Sequence, residues 1–218
     1  MKKKIMKSIL GVFFVVFKLF RIATSEKSYL KNKGYFKSFK LRIPVDAKNQ
    51  PVPWMNYPFV DFISNRLNKS LEVFEYGSGF STLYFQNIVK SIKSVENKKD
   101  WFDEISKKAG KNVEIIYHGP EQKEAYAKSI NINSSNQRYD LIIVDDIDRL
   151  GCVKQAVNYL KTTGVILLDD SHRTGYLPIF NFMKEAGFKE ITIGGLKPGS
   201  FDLNKSTIFY RPDNILNI

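Results

Sequence analysis

Residues 71–81 read Leu-Glu-Val-Phe-Glu-Tyr-Gly-Ser-Gly-Phe-Ser, and this stretch decides the fold. Its first part, residues 71–76, is a short apolar run of the kind that forms a buried strand. Gly77 and Gly79 follow directly. Glycine permits a sharp turn and lets a ligand approach the backbone closely. The stretch therefore predicts a strand, a tight loop and then a helix.

Strand-like and helix-like segments alternate on both sides of this loop. The predicted strands cover residues 71–76, 91–96, 113–117, 139–145 and 164–169. The predicted helices lie near residues 58–67, 83–89, 100–109, 121–130, 150–160 and 176–186. Five alternating units of this kind predict a parallel sheet with helices on both faces.

The end of the chain departs from this alternation. Residues 189–193 and 206–210 look like two strands, and the loop between them leaves no room for a crossover helix. Parallel neighbours need a crossover of about a dozen residues, so the last two strands are predicted to be antiparallel. We therefore expect an α/β fold: a Rossmann-like, seven-stranded, mostly parallel sheet with a terminal antiparallel hairpin. A six-stranded dinucleotide dehydrogenase domain lacks that ending.

The positive charge is concentrated at the N-terminus. The 218-residue chain has a formal net charge of +12, of which residues 1–42 carry +11 and residues 43–218 only +1. Enzymes that act on nucleic acid usually spread positive charge around the catalytic cleft, so the nearly neutral body argues against such a partner. The asymmetry indicates attraction of the N-terminus to an anionic lipid surface.

Residues 1–24 form a basic apolar segment. Its uninterrupted apolar run, residues 9–17, is nine residues long, well short of the roughly 20 that span a bilayer. These features favour a helix lying in the membrane interface. Three alternatives stay open: a helix packed on its own domain, a contact between copies in a homo-oligomer, and a signal peptide or spanning segment.

Two further regions follow this segment. Residues 25–53 show no clear period and are interpreted as a connector, and residues 54–218 as the main domain.

Cys152 is the only cysteine, so no intramolecular disulfide forms and a reducing compartment is the simpler interpretation. The chain is therefore predicted to be cytoplasmic and peripheral at the inner membrane face.

Two acids accompany the glycines. Glu75 lies just before Gly77, and Glu96 ends the second predicted strand 21 residues after Glu75. An acid at about that separation suits hydrogen bonding to a ribose diol. The Gly-Ser-Gly motif is weak by itself, since a tight turn alone explains it, and both acids could also be solvated residues at strand ends.

These motifs resemble those of the class I S-adenosylmethionine-dependent methyltransferases. The family's acid-x-Gly-x-Gly motif is similar to residues 75–79, and its ribose-binding strand end to Ser94–Asn97. Its fourth- and fifth-strand motifs are similar to residues 139–145 and 164–170, and the resemblance covers roughly Trp54 to Arg211. It implies S-adenosylmethionine as the cofactor.

The resemblance also implies a set of cofactor contacts. Gly77 and Gly79 would pass under the methionine part, Glu96 would accept from the ribose hydroxyls, and Glu75 would help hold the amino-acid end. The complete implied set is Glu75, Gly77, Ser78, Gly79, Ser81, Glu96 and Asp145. Ser81 departs from the family, in which many members have a third glycine at that position. Its hydroxyl would bond the cofactor carboxylate, or the packing of helix on strand is relaxed there.

Acidic residues end the fourth and fifth predicted strands, and adjacent strand ends would bring them together. The arrangement resembles the metal-dependent small-molecule O-methyltransferases. That resemblance implies Mg²⁺ held by Asp145, Asp169 and Asp170. His172 follows the Asp-Asp pair closely and is a candidate general base near neutral pH, so Asp145 and His172 are the predicted catalytic residues. Two alternatives stay open: the acids contact only the cofactor or a helix end, and His172 is a plain loop residue.

Together these features predict an S-adenosylmethionine-dependent methyltransferase. O-methylation of a small hydroxylated substrate, such as a sugar or lipid-linked glycan intermediate near the inner membrane, is the leading hypothesis. An NAD-dependent oxidoreductase and a non-catalytic membrane-associated Rossmann-like protein are the alternatives.

Overall fold

The strand before the glycine loop lies inside a seven-stranded sheet. This computed structural model describes residues 2–119, 121–132 and 137–218, with side chains from residue 10 onward. The strands are β1 (Glu72–Tyr76), β2 (Ser91–Glu96), β3 (Val113–Tyr117), β4 (Tyr139–Val144), β5 (Leu160–Leu168), β6 (Lys189–Leu196) and β7 (Leu203–Tyr210). Their order is β3-β2-β1-β4-β5-β7-β6. Strands β1 to β5 are parallel, and β7 is antiparallel to both β5 and β6, which confirms the predicted fold class.

Nine α-helices lie in the part of the chain that the structure describes. They are α1 (Lys2–Thr24), α2 (Tyr29–Asn32), α3 (Tyr35–Leu41), α4 (Tyr57–Ser64), α5 (Phe80–Phe85), α6 (Lys99–Ser106), α7 (Lys123–Lys128), α8 (Arg149–Tyr159) and α9 (Leu177–Glu185). Side chains cap two of the helices that flank the sheet: Asn56 accepts from the amide of Phe59 before α4, and Asp148 from that of Gly151 before α8.

Successive residues of the central strands pack on opposite faces of the sheet. Phe74 and Tyr76 contact one apolar cluster, to which α7, α8 and α9 contribute. Val73, which precedes Phe74, contacts a second cluster, to which α4 and α5 contribute. Both faces of β1 are therefore covered, its three apolar residues are all buried, and the glycine loop follows at its carboxyl end.

The chain divides into two compact units, residues 51–197 with 201–218 and residues 1–50 with 198–200. The first contains the whole sheet. The second contains α1, α2 and α3, so residues 25–53, which show no sequence period, carry two short helices. In this second unit the buried Ser38 hydroxyl donates to the Val45 carbonyl at 2.8 Å and accepts from its amide at 3.0 Å.

From Leu10 onward, helix α1 exposes its large apolar side chains. Ten large apolar residues between Leu10 and Ile22 are 42–65% exposed. No helix within the described residues is long and apolar enough to cross a membrane. The predicted contact of residues 1–24 with lipid rests partly on Lys2, Lys3, Lys4 and Lys7, and those side chains, like Met1, lie outside the part that the structure describes.

Candidate active site

A cavity of about 380 Å³ opens in the sheet-bearing unit. It lies where β1, β2 and β4 end, and these are neighbouring parallel strands. Ligands in open α/β sheets bind beyond the carboxyl ends of the strands. The residues that line it are Trp54, Gly77, Ser78, Gly79, Phe80, Ser81, Glu96, Lys98, Trp101, Asp145 and Asp146.

The glycine loop turns sharply at Gly77. Its φ is +97°, a left-handed conformation that favours glycine, and an added β-carbon would lie 2.8 Å from the Asp146 β-carbon. Its amide donates to the Val95 carbonyl at 2.9 Å, which ties the loop to β2. Gly79 then precedes α5, and its amide donates to the Thr82 hydroxyl at 2.8 Å.

Glu75 stands behind this loop and does not line the cavity. It is completely buried, and its carboxylate accepts hydrogen bonds from the Ser81 and Thr82 hydroxyls at the start of α5. Burial raises its pKa to about 7 against the lowering effect of those hydrogen bonds. The structure thus places Ser81, and not Glu75, in the cavity wall. The predicted contact of Glu75 with the cofactor stays a prediction.

Glu96 lies in the cavity wall at the end of β2. Its Oε1 accepts from the amides of Asn97 at 3.0 Å and Lys98 at 2.8 Å, and its Oε2 accepts from the Ser78 hydroxyl at 3.2 Å. Burial, followed by the charge of Asp146, raises its pKa. These bonds hold the side chain in one orientation with Oε2 beside the glycine loop, and its predicted contact with a ribose stays a prediction.

The cavity also contains residues that the motifs did not predict. Trp101 on α6 donates from Nε1 to the Ser78 carbonyl at 2.8 Å, and its ring lies 5.9 Å from that of Phe80. Asp146 accepts from the Tyr126 hydroxyl at 2.7 Å. Trp101 carries no sequence signal of its own, because an aromatic residue on an amphipathic helix is equally typical of core packing.

The three predicted metal ligands do come together. Carboxylate oxygens of Asp145, Asp169 and Asp170 lie within 4.8 Å of one another. Burial and the charge of Asp169 raise the pKa of Asp145 well above its usual range, and burial also raises that of Asp169. Burial acts to raise the pKa of Asp170 as well, but the hydrogen bond and charge of Lys197 bring it below its usual value.

The acids are already paired with cations of the chain. The pairs are Arg149 with Asp145, Arg173 with Asp170, and Lys197 with both Asp169 and Asp170. A divalent cation needs free carboxylate oxygens, and three positive side chains oppose its entry. The residues as arranged therefore do not fit Mg²⁺.

His172 is not part of the cavity wall. It follows Asp170 and Ser171 in the loop after β5, and its side chain is exposed. Its assignment as general base stays a prediction. Of the two predicted catalytic residues, the structure places only Asp145 in the cavity wall.

No protein-family model and no curated protein matches this sequence. Solved structures match its fold. The O-methyltransferase TomG of Streptomyces achromogenes, which is involved in tomaymycin synthesis and was solved with S-adenosylmethionine, aligns at a TM-score of 0.56 and 13% identity, covering 90% of this chain and 96% of TomG. Precorrin-6y C5,15-methyltransferase from Geobacter metallireducens aligns at 0.50 and 15%, covering 70% and 86%.

A methyltransferase candidate from Streptococcus mutans, solved with S-adenosylhomocysteine, aligns at a TM-score of 0.52 and 16% identity, covering 69% of this chain and 94% of that protein. At such identities the likeness concerns the fold. The strand order and the antiparallel β7 agree with it. The chain therefore has the fold of the class I S-adenosylmethionine-dependent methyltransferases.

Proposed function

We propose that this protein is an S-adenosylmethionine-dependent methyltransferase. The observation that carries the proposal is the meeting of the glycine loop, residues 77–79, with Glu96 at one cavity beyond the carboxyl ends of β1 and β2. The structural neighbours TomG and the Streptococcus mutans protein were solved with S-adenosylmethionine and S-adenosylhomocysteine, respectively. Their likeness supports the choice of cofactor.

The residues present fit this cofactor. S-adenosylmethionine supplies, when bound, an electrophilic methyl group on a sulfonium centre. Gly77 and Gly79 leave the loop backbone accessible because neither carries a side chain. Glu96 would accept from the ribose hydroxyls through Oε2, whose described partner, the Ser78 hydroxyl, is 3.2 Å away. Ser81 and the Trp101 ring complete the wall.

Asp145 is the acid best placed to serve the methyl acceptor. It lines the cavity, and burial together with Asp169 raises its pKa, so it holds a proton more tightly than an ordinary aspartate. A base of raised pKa is better suited to take a proton from an acceptor hydroxyl. We therefore propose O-methylation of a small hydroxylated molecule, such as a sugar or lipid-linked glycan intermediate. TomG, an O-methyltransferase of the same fold, supports this class.

The two alternatives predict different ligands. An NAD-dependent oxidoreductase would bind NAD in this cavity. The antiparallel β7 counts against this alternative, because the sixth strand of a dinucleotide-binding sheet runs parallel to the others. A non-catalytic protein would bind neither cofactor. The glycine loop and the buried, oriented Glu96 favour an intact binding site over a lost one.

The test is calorimetric titration of S-adenosylmethionine, and separately of NAD, into the full-length protein. We expect micromolar binding of S-adenosylmethionine, weakened at least about tenfold in Glu96→Gln, since a carboxylate accepting charged hydrogen bonds contributes about 1.5–3 kcal/mol. The matched control is Glu72→Gln at the opposite end of β1, which should bind normally. Binding of NAD instead, or of neither ligand by folded protein, would contradict the proposal.

We also propose that α1 holds the protein on an anionic membrane surface, at the inner face. Its apolar residues from Leu10 to Ile22 are 42–65% exposed, a larger apolar surface than monomeric soluble proteins usually present. A groove of about 590 Å³ beside it is lined by apolar side chains and by cations, which include Lys18 and Arg21. Apolar residues flanked by cations suit acyl chains below anionic headgroups. Self-association through α1 in a homo-oligomer is the competing outcome.

A further inference from the structure

Lys197 occupies the acidic cluster at the carboxyl end of β5. Its Nζ lies 2.9 Å from Asp170 Oδ1 and 3.8 Å from Asp169 Oδ2, so one ammonium bridges two carboxylates that are nearly inaccessible to solvent. Three carboxylates of this cluster approach within 4.8 Å, a spacing at which they repel one another unless positive charge lies between them. Lys197 supplies that charge from the chain itself.

Two arginines complete the balance of charge. Arg149, itself 7% exposed, places Nη2 2.8 Å from Asp145 Oδ1 and 3.9 Å from Asp170 Oδ2. Arg173 pairs with the same Asp170 oxygen. Three formal negative charges thus face three formal positive charges. A divalent ion added to this set would lie beside the buried Arg149 and the partly buried Lys197 at an electrostatic cost, because repulsion is weakly screened away from water.

Neutral donors take up further carboxylate lone pairs. Asn204 donates from Nδ2 to Asp170 Oδ1 at 2.6 Å, and the Ser206 hydroxyl donates to Asp169. Asn56 fixes both donors, since its Nδ2 lies 3.2 Å from Asn204 Oδ1 and 3.0 Å from Ser206 Oγ. A metal ion at the cluster would compete with these donors for Asp169 and Asp170. The surroundings are therefore built for carboxylates bound by N–H and O–H donors.

We propose that the Lys197 ammonium takes the place of a divalent cation at this cluster, and that the protein binds its ligands without a metal. Lys197 is then a positioning residue: it holds Asp169 and Asp170 beside Asp145, and Asp145 is the member that lines the cavity. The role of Lys197 in methyl transfer rests on the proposed function. Ion binding can nevertheless be measured without turnover.

The experiment is a titration of full-length protein with Mn²⁺, followed by the electron paramagnetic resonance signal of the free ion. Wild type is expected to bind no Mn²⁺ at the cluster. Lys197→Met removes the cation that bridges Asp169 and Asp170 and should gain one Mn²⁺ per chain. Lys197→Met combined with Asp169→Asn should lose it. Lys197→Arg should behave as wild type, because a cation is restored.

Lys161→Met is the matched control. Lys161 also bridges two carboxylates, with Nζ 2.8 Å from Asp140 Oδ2 and 3.2 Å from Glu72 Oε2, but no third carboxylate joins that group within the described residues. It should gain no Mn²⁺ site. The proposal is overturned if wild type binds Mn²⁺ in a manner lost on Asp169→Asn, or if Lys161→Met gains as much as Lys197→Met. It is also overturned if Lys197→Met, or Lys197→Gln should the first not fold, melts cooperatively but binds no Mn²⁺.

The same variants separate this proposal from the proposed function. If S-adenosylmethionine fails to bind wild type while Lys197→Met still gains Mn²⁺, the methyltransferase assignment fails and the role of Lys197 stands. If S-adenosylmethionine binds and its affinity falls on removal of divalent ions by a chelator, the role of Lys197 fails and the cofactor assignment stands.

Discussion

Gly77 and Asp146 approach so closely that a β-carbon on the glycine would lie 2.8 Å from the β-carbon of Asp146. The two residues follow β1 and β4, which are parallel neighbours, so their loops meet at one edge of the sheet. Gly77 also has a φ of +97°. The close approach and the positive φ each disfavour a side chain at this position. A tight turn alone would explain the positive φ but not the close approach.

Gly77→Ala should therefore damage both stability and the cavity. We expect the free energy of unfolding to fall by about 1–3 kcal/mol from backbone strain and crowding, and the affinity for S-adenosylmethionine to fall with it. Gly187→Ala separates the two effects, because Gly187 has a φ of +80° but no atom within 4 Å of an added β-carbon. It should lower stability alone in urea unfolding. Unchanged binding by Gly77→Ala would argue against a ligand at this loop.

Trp101 should contribute to ligand binding in two separable ways. Trp101→Phe removes the Nε1 donor to the Ser78 carbonyl but keeps a ring in the wall, and we expect about a three- to tenfold loss of affinity for S-adenosylmethionine. Trp101→Ala removes the ring too and should lose more. Phe102→Leu, on the same helix but outside the cavity lining, is the control. Equal affinities for all three variants in calorimetry would exclude Trp101 from the site.

Glu75 should make the protein less stable as the pH rises. Its folded pKa is about 7, raised by burial from 4.5, so the folded state binds a proton that the unfolded state has released between those values. The free energy of unfolding attributable to Glu75 should thus fall by up to about 1.4 kcal/mol per pH unit from pH 5 to 7. Glu75→Gln should flatten this part of the curve in urea unfolding followed over pH.

Glu72→Gln is a control, because the pKa of Glu72 is shifted in the opposite direction from that of Glu75. The hydrogen bond from Lys90 lowers the pKa of Glu72 despite partial burial, so its ionised form stabilises the folded state above pH 4.5 and that stability is lost on acidification. Its replacement should remove stability at neutral pH. If Glu75→Gln steepened the decline between pH 5 and 7, the burial of a protonated Glu75 would be refuted.

Local pattern was sufficient for most of the sheet and insufficient where strands pair irregularly. Strands β2 and β3 match their predicted bounds, 91–96 and 113–117. Strand β5 begins at Leu160 instead of residue 164, in the place where the end of a helix was expected. Its extra residues, Lys161 to Thr163, are polar. Leu160 pairs with Tyr139 of β4, and the register of the two strands shifts after that pair. That pairing depends on the neighbouring strand and leaves no periodic signal.

The site shows the same division between local and distant information. Six of the predicted cofactor residues line the cavity: Gly77, Ser78, Gly79, Ser81, Glu96 and Asp145. They sit at the ends of apolar strands, where spacing is readable. Lys197 is 27 residues beyond Asp170 and reaches it because β7 pairs with β5 and β6 pairs with β7. A cation brought to the cluster by sheet pairing cannot be inferred from the Asp-Asp motif, which is why a metal stayed open in the sequence analysis as the source of positive charge.

Helix α1 should bind vesicles according to their charge. Full-length protein is expected to sediment with vesicles of phosphatidylglycerol and phosphatidylcholine more than with phosphatidylcholine alone, and less as salt is added. Lys18→Ala with Arg21→Ala should weaken binding by about thirtyfold, since each cation near an anionic surface contributes about 1 kcal/mol. Charge-independent binding, unaffected by salt, would contradict an anionic partner.

The apolar contribution of α1 to membrane binding is tested with a variant on α1 and a control variant elsewhere. Phe13, 65% exposed on α1, should lose about 1.5–3 kcal/mol of membrane affinity on change to alanine, because a buried phenylalanine contributes that much. Phe201 is 75% exposed but belongs to the sheet-bearing unit, so Phe201→Ala should sediment like wild type. Sedimentation that needs no vesicles, rises with protein concentration and is abolished by Phe13→Ala would instead identify a second copy of the chain as the partner of α1.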